Sequence, residues 1–287
     1  MLTTDGLGGG AGPGCPGGGL SSGPPEVRRD DRPDDSWVFV SPSNQERLRR
    51  ARRFLDDHAP GCEVLLVGAS RSAVDDLARE MAGERGATFG LHRFSFTQIM
   101  VRLAAGKLAA LGLAPATSLG VEAVAARITY QARVAGKIPR FEAVSRLPGF
   151  AGAAAATLGD IRAQGVAADA VARAGPATSD LAELIDLFER EIASASIADR
   201  NLLASLARDA VVERPDFLHG CAPLLLLDVP LHTWRDAAFA AALITPGRRV
   251  LATVPSGDEK TLTVLRDLGG RGPERSTGEP PMSSRDE

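Results

Sequence analysis

The stretch VLLVGASRSAVDDLAREM, residues 64–81, joins a short apolar run to an amphipathic helical pattern. Residues 64–67 are apolar throughout, which is typical of a strand that is buried on both faces. A Gly-Ala-Ser-Arg turn at 68–71 follows, and the next apolar residues recur at helical spacing: Val74, Leu77, Ala78 and Met81. A buried strand that leads directly into a helix is the unit of an α/β protein. This stretch therefore predicts a parallel sheet.

The same alternation continues on both sides of this unit. The expected strands, in chain order, are 38–40, 64–67, a third element near 88–91, 224–227 and 250–254. The expected helices are an arginine-rich segment over 46–55, 73–81, a segment that carries Phe96, Ile99, Met100 and Leu103, and 234–243. This order predicts parallel strands joined by right-handed crossovers.

The region 121–212 has helical spacing only, with Gly-Pro or Pro-Gly breaks at 148–149 and 175–176. We therefore expect an α/β core over 36–115 and 220–268, interrupted by an all-helical insertion over 116–219. The Gly/Pro-rich start, 1–35, and the polar tail, 269–287, have little to bury and are expected to be disordered.

Composition restricts the function classes. The 287 residues are 44% hydrophobic and carry a net charge of −3, so a nucleic acid would have to meet a local basic patch rather than the whole chain. Cys15, Cys62 and Cys221 match no disulfide or zinc spacing, which favours a reducing compartment. The apolar runs are too short to span a bilayer, and the N-terminus lacks the pattern of a signal peptide. We expect a cytoplasmic protein with no membrane partner.

The loop after the first strand reads SPSNQER, residues 41–47. A phosphate-binding loop at this place needs glycines for close backbone approach and a lysine for the outer phosphates. The loop has neither, and the position of Arg47 argues against its replacing the lysine. Ser43, Asn44 and Gln45 therefore mark a degenerate nucleotide site, and we expect ATP and Mg²⁺ binding to be lost.

The next two strand ends offer polar residues without a catalytic pattern. Ser70 or Ser72 could hold a phosphate at the start of a helix, although capping is the more frequent role of such a serine and the two can coexist. The segment 91–95 is expected to be a loop that places His92 and Arg93 beside a helix start. A lone histidine is more often structural than catalytic, and no metal-ligand spacing is present.

Asp228 ends the apolar strand 224–227, where P-loop ATPases hold magnesium. Such enzymes normally have a second acid next, but Val229 and Pro230 follow here, so we expect Asp228 to cap the next turn. The arginines of 46–53 could meet DNA, although such helices more often form solvated or ion-paired faces.

Taken in order, these segments resemble the start of a UvrD/RecB-type superfamily-1 helicase domain, a RecA-like (P-loop NTPase-like) fold. They resemble more closely the AddB-like proteins, in which an inactivated helicase domain precedes a PD-(D/E)XK nuclease. Residues 64–81 are similar to motif Ia, 88–103 to the following motif with His92 in a matching place, 224–228 to the Walker B strand, and 250–258 to motif III.

The resemblance covers roughly 37–268 and implies binding of single-stranded or end DNA, partnership with an AddA-like helicase subunit, and a role in double-strand-break repair. By residue match, the DNA side would comprise Ser70, Arg71, Thr88, His92 and Arg93. The Walker A segment is unrecognisable, and Val229 replaces the Walker B glutamate. A second RecA-like domain and the nuclease acids would lie beyond Glu287, so the resemblance implies a fragment.

Three hypotheses follow. The leading one is a catalytically silent helicase-like module, with no catalytic residues of its own, that handles DNA. The second is a divergent NTPase that uses Asp228 with unusual phosphate ligands. The third is a protein-interaction scaffold whose alanine-rich helices dock a partner.

Overall fold

Seven strands and ten helices make up the part of the chain that the computed structural model describes, namely residues 37–214, 222–245 and 247–269. The strands are β1 Val38–Ser41, β2 Val64–Gly68, β3 Leu91–Ser95, β4 Ala114–Pro115, β5 Ile197–Ala198, β6 Leu224–Leu227 and β7 Val250–Pro255. The helices are α1 Asn44–Asp56, α2 Arg71–Arg85, α3 Phe96–Leu111, α4 Ser118–Val134, α5 Phe150–Ala163, α6 Ala168–Arg173, α7 Ser179–Ser194, α8 Arg200–Glu213, α9 Trp234–Leu243 and α10 Glu259–Asp267. The segment 1–35 and all but the first residue of 269–287, both expected to be disordered, lie outside the described residues.

Five of these strands form a parallel sheet in the order β1-β7-β6-β2-β3. β2 and β6 pair in the centre, where Leu66 lies opposite Leu225. All four apolar residues of β6 are buried, as a central parallel strand requires. The predicted α/β class with a parallel central sheet is therefore confirmed.

Helices cover both faces of the sheet. One face packs against α1 and α2, through a cluster that includes Phe54, Leu77 and Met81. The other face packs against α3, α8, α9 and α10, through a larger cluster that includes Met100 and Phe239. The sheet is thus the middle layer, and only its ends and its edge strands β1 and β3 approach solvent.

The third strand differs from its expected position. Residues 91–95 were expected to be a loop after a short element near 88–91, but they form β3, paired in parallel with β2. The sequence LHRFS has no continuous apolar run because β3 is an edge strand whose five residues are all half-buried. Gly90 starts the strand with φ near +75°, and a Cβ atom there would lie 2.5 Å from the carbonyl oxygen of Cys62.

The described part of the segment between β3 and β6 is mostly helical, as its spacing predicts, apart from the two short strands β4 and β5. β5 interrupts the helices and pairs in parallel with β4 as a separate two-stranded sheet. Helices α4 to α7 contribute to a hydrophobic cluster of their own, which is centred on Ile128, Ile185 and Phe188. Helix α8 packs instead with the cluster under the central sheet. Within the described ranges, no helix is both long and apolar enough to cross a bilayer.

Candidate functional site

The carboxyl ends of β6 and β2 border a crevice. The two strands are neighbours, but α2, which follows β2, packs on one face of the sheet, whereas α9, which follows β6, packs on the other. Ligands of open parallel sheets bind where crossovers diverge in this way. A pocket of about 350 Å³ lies on the α1–α2 side of the crevice, and its lining includes Asn44, Ser72, Asp76, Glu80 and Asp228.

An ion pair between Arg47 and Asp228 closes the inner end of this crevice. The Arg47 Nε–H group donates to both carboxylate oxygens of Asp228, at 3.0 and 3.1 Å. Its Nη1 atom donates to the Ser41 carbonyl oxygen at 2.7 Å. Only 8% of the Arg47 side chain and 21% of the Asp228 side chain is exposed. The carboxylate in the position expected for a magnesium ligand is therefore already neutralised by a cation of the chain.

The backbone holds Asp228 in this orientation, and the carboxylate caps no turn. Asp228 has φ near +52°, an unusual conformation for a non-glycine residue. Its backbone N–H donates to the Thr253 carbonyl and hydroxyl oxygens, and the Thr253 hydroxyl donates to the carboxylate at 2.7 Å. The next helix, α9, is capped by Thr233. The expectation that Asp228 caps the following turn is wrong because Arg47 and Thr253 occupy its oxygens.

Side chains near the first turn of α1 already form hydrogen bonds with one another and with the backbone there. The Ser43 hydroxyl accepts from the Glu46 backbone N–H, which caps the helix. The Ser41 hydroxyl accepts from the Ser43 N–H at 3.0 Å and donates to the Glu46 carboxylate. A phosphate arriving here would meet a carboxylate and amide groups that are already engaged. Gln45 is exposed in the first turn, and the Asn44 side chain accepts a long hydrogen bond of 3.5 Å from Arg47.

A second group of charged residues lies between the first turns of α2 and the middle of β3. Arg71, the first residue of α2, donates to Asp75 at 2.8 Å and to the Arg93 carbonyl oxygen at 2.7 Å. The Arg93 side chain forms an ion pair with the other oxygen of Asp75 at 3.0 Å. We call Arg71, Asp75 and Arg93 the arginine cluster. It carries a net charge of +1, and both arginines are about two-fifths exposed.

Serines continue the arginine cluster along the start of α2. The Ser70 hydroxyl accepts from the Ala73 N–H at 3.2 Å and lies 3.0 Å from the Ser72 hydroxyl. Capping by Ser70 is therefore observed, and both hydroxyls remain exposed beside Arg71. Gly68, at the end of β2, permits this turn, since a Cβ atom there would lie 2.6 Å from the Val74 side chain.

The electrostatic balance of the arginine cluster fixes Asp75 in its charged form. The hydrogen bond from Arg71 lowers the pKa of Asp75, and the positive charges of Arg71, Arg93 and Arg79 add to this, against a smaller effect of desolvation. The carboxylate therefore stays ionised and holds the two arginines side by side. Two guanidinium groups held in this way, next to two hydroxyls, can bind the phosphates of a polyanion.

The other two residues expected on the DNA side lie elsewhere. Thr88 precedes β3, at the amino end of the sheet, where it lines a separate pocket of about 470 Å³ together with Cys62 and Phe89. His92 is the second residue of β3 and lies 3.8 Å from the Glu63 carboxylate. The structure thus brings Ser70, Arg71 and Arg93 together, but leaves Thr88 and His92 outside this group.

Sequence reasoning missed two residues that shape the site, and one contact between two residues that it had considered separately. Asp75 could have been found, because it follows Arg71 by four residues on a helix, a spacing typical of ion pairs. Glu46 could have been noticed three residues after Ser43, the spacing of a capping box. Nothing in the sequence pairs Arg47 with Asp228, since that contact depends on the order of strands in the sheet.

The helical segment contacts the region just after Asp228. The Gln164 side chain, which follows α5, donates to the His232 carbonyl oxygen and accepts from the Trp234 N–H. The Arg235 side chain donates to the Arg162 carbonyl oxygen at 2.7 Å. These hydrogen bonds connect the end of α5 to the start of α9.

Potential metal ligands are scattered. Across residues 37–214, 222–245 and 247–269, the structure holds no group of three or more His, Cys, Asp or Glu side chains placed to share a metal ion.

Comparisons with known proteins return no matching family model and no match among curated proteins.

Proposed function

We propose that this chain is a catalytically silent, helicase-like module that binds single-stranded or end DNA and docks an active, AddA-like helicase subunit in double-strand-break repair. The sheet would be of the RecA-like type, with α4 to α7 as its inserted helical subdomain, in a cytoplasmic protein. Binding would use the arginine cluster with Ser70 and Ser72, and no ATP or Mg²⁺ would be required.

The Arg47–Asp228 ion pair is the observation that carries this proposal. In a P-loop ATPase, an acid at the end of a buried strand holds magnesium, and a cation after the first strand contacts the phosphates. Here the corresponding acid and cation neutralise each other. A magnesium–nucleotide complex would have to break a largely buried ion pair and approach the Glu46 carboxylate, both of which are unfavourable.

The arginine cluster supports the DNA part of the proposal. Exposed hydroxyls at a helix start and paired guanidinium groups are typical phosphate ligands, and they contact the nucleic-acid backbone without reading base sequence. The net charge of −3 does not oppose this, since the cluster is a local positive site. Binding should therefore be weak, salt-sensitive and indifferent to base sequence.

Fluorescence anisotropy with a labelled oligodeoxythymidine at low salt tests the proposal. Wild-type protein is expected to bind without ATP, and Arg71→Gln with Arg93→Gln is expected to weaken binding about tenfold or more, since each lost phosphate contact also reduces the release of counterions. Arg79→Gln is the matched control, because Arg79 lies on the same helix, pairs with Asp76 and is 72% exposed.

Two results would contradict the proposal. Absence of binding by wild-type protein at low salt would remove the DNA part. An equal loss of DNA affinity in Arg79→Gln and in the double variant would mean that binding depends on overall positive charge rather than on the arginine cluster. Co-purification of an ATPase subunit with a chain that does not bind DNA would favour the scaffold hypothesis instead.

A further inference from the structure

The solvent-facing side of α4 carries Tyr130, the sole tyrosine of the chain. The opposite side of the helix is buried in the cluster of α4 to α7 through Ile128 and Ala132. Tyr130 itself is 61% exposed. A large aromatic side chain in this position contributes little to the core, so its ring is available to a ligand.

A pocket lies beside this ring. It has a volume of about 400 Å³ and is bordered by α4, by the segment that precedes α5 and by the start of α5. Its lining includes Tyr130, Arg133, Ser145, Arg146 and Leu147. One aromatic ring, two guanidinium groups, a hydroxyl and an exposed leucine thus surround a space large enough for one flat ring system.

The charges around the pocket favour an anion. The Arg133 guanidinium lies over the Tyr130 ring, 5.4 Å from its centroid. Arg146 donates to the Glu142 carboxylate at 2.7 Å and is 65% exposed. Arg133 forms no ion pair with the described residues. The charges of Arg133, Arg146 and Glu142 sum to +1. An arginine stacked on an aromatic ring presents a flat and cationic surface.

We propose that Tyr130 and Arg133 form a nucleotide subsite, in which a base of single-stranded DNA stacks on the tyrosine and its phosphate contacts the arginine. This inference rests on the proposed function and adds a second contact point, on the helical segment, to the arginine cluster at the sheet. Base–aromatic stacking next to a basic group is the usual physical basis of single-strand binding without sequence preference.

The pocket fits a base better than it fits a purely electrostatic partner. A phosphate alone would gain nothing from the exposed ring of Tyr130 or from Leu147, which is 59% exposed. An acidic peptide would pair with Arg133 but would add nothing that stacks on the Tyr130 ring. A nucleotide satisfies both the ring and the guanidinium.

Nitration of the single tyrosine tests the subsite directly in the full chain. Tetranitromethane converts an accessible tyrosine to 3-nitrotyrosine, and with one tyrosine in the chain the signal reports Tyr130 alone. Oligodeoxythymidine is expected to protect Tyr130 from nitration, whereas an abasic strand of the same length is expected to protect it much less. Protection by polyglutamate but not by oligodeoxythymidine would overturn the subsite in favour of an acidic protein partner.

Substitutions separate stacking from charge. Tyr130→Leu is expected to weaken oligodeoxythymidine binding about tenfold and Tyr130→Phe by no more than about twofold, since the phenylalanine keeps the ring. Arg133→Gln is expected to reduce the slope of log Kd against log salt by about 0.7, the value for one phosphate on a single strand. Phe89→Leu is the control, because Phe89 is an aromatic residue that is 76% exposed at the amino end of the sheet.

The outcomes distinguish this inference from the proposed function. If wild-type protein binds DNA but Tyr130→Leu binds equally well and DNA leaves nitration unchanged, the subsite is refuted and the arginine cluster stands. If wild-type protein does not bind DNA at all, both proposals fail. Thermal melting of each variant should match wild type, since Tyr130 and Arg133 pack little of the core.

Discussion

Arg47 and Asp228 lie 181 residues apart in the sequence, yet their side chains meet at 3.0 Å at the carboxyl end of the central sheet. The contact joins the first helix to the strand β6 across the intervening strand β7. Because both side chains are largely buried, each depends on the other for its charge balance. The pair is therefore a structural contact, and the proposed loss of nucleotide binding depends on it.

Removal of Arg47 should destabilise the fold. Arg47→Met leaves the Asp228 carboxylate with the Thr253 hydroxyl as its donor, and the cost should be about 3 kcal/mol in the free energy of unfolding. Urea denaturation measures it, and a double-mutant cycle with Asp228→Asn should give a coupling of about 1–3 kcal/mol.

A matched cycle on a surface ion pair provides the comparison. Arg173 and Asp169 form a pair on α6 whose side chains are 71% and 67% exposed. Their coupling should be much smaller than that of Arg47 and Asp228, since solvent screens exposed pairs. Equal couplings for the two pairs would show that burial gives the Arg47–Asp228 contact no special weight.

Nucleotide should leave the melting temperature unchanged. A ligand at a hundred times its Kd stabilises the folded state by about 2.7 kcal/mol, which a thermal-shift experiment detects easily. With Mg²⁺ and millimolar ATP, we expect no shift in wild type or in Asp228→Asn. The divergent-NTPase hypothesis predicts the opposite, namely a shift in wild type that Asp228→Asn abolishes.

Stability should fall as the solution becomes acidic, in part because of His58. Burial lowers the pKa of His58, and the positive charge of Arg249 acts in the same direction, against opposing effects of the Phe54 carbonyl and Asp57. The histidine therefore binds its proton more readily in the unfolded chain. The contribution of neutral His58 to the free energy of unfolding is complete above about pH 6.5. It is lost as the pH falls towards the lowered pKa of His58 in the folded protein.

Urea midpoints measured at several pH values test this effect. His58→Asn should show a shallower loss of stability than wild type below about pH 6.5, since asparagine does not titrate in this range. A profile for His58→Asn that is parallel to that of wild type would assign the pH dependence to other groups.

Two glycines should respond in opposite ways to alanine. Gly90→Ala places a Cβ atom 2.5 Å from the Cys62 carbonyl oxygen at a positive φ, so it should cost about 2 kcal/mol or more. Gly106 lies inside α3 with nothing within 4 Å of an added Cβ atom, so Gly106→Ala should stabilise by about 0.5–1 kcal/mol. Chemical denaturation of both variants checks the signs, and a Gly90→Ala variant as stable as wild type would contradict the close approach of Gly90 to Cys62 in the loop before β2.

The elements of the fold were largely predictable where burial was complete. Leu224–Leu227 and Val64–Gly68 are central strands, and continuous apolar runs identified them to within one residue. Leu91–Ser95 was not recognised as a strand, because an edge strand can alternate polar and apolar residues and still form its ladder. Ala114–Pro115 and Ile197–Ala198 are too short to leave any pattern.

The candidate site was predictable only in part. The resemblance assigned Ser70, Arg71, Thr88, His92 and Arg93 to one surface, and the structure brings together Ser70, Arg71 and Arg93. Thr88 precedes β3, and the His92 side chain points to the opposite face of the strand from that of its neighbour Arg93, because successive side chains alternate along a strand. Tyr130 gave no signal in the sequence, where it reads as one residue of an alanine-rich helix.

The sequence by itself determined the α/β class, the missing glycines and lysine after β1, and the acid at the end of β6, because these follow from local composition and periodicity. Only the tertiary structure decided that Arg47 neutralises Asp228 and that Asp75 holds two arginines side by side. The reason is physical: spacing along the chain specifies which residues share a helix or strand, whereas the order in which strands pair specifies which distant charges meet.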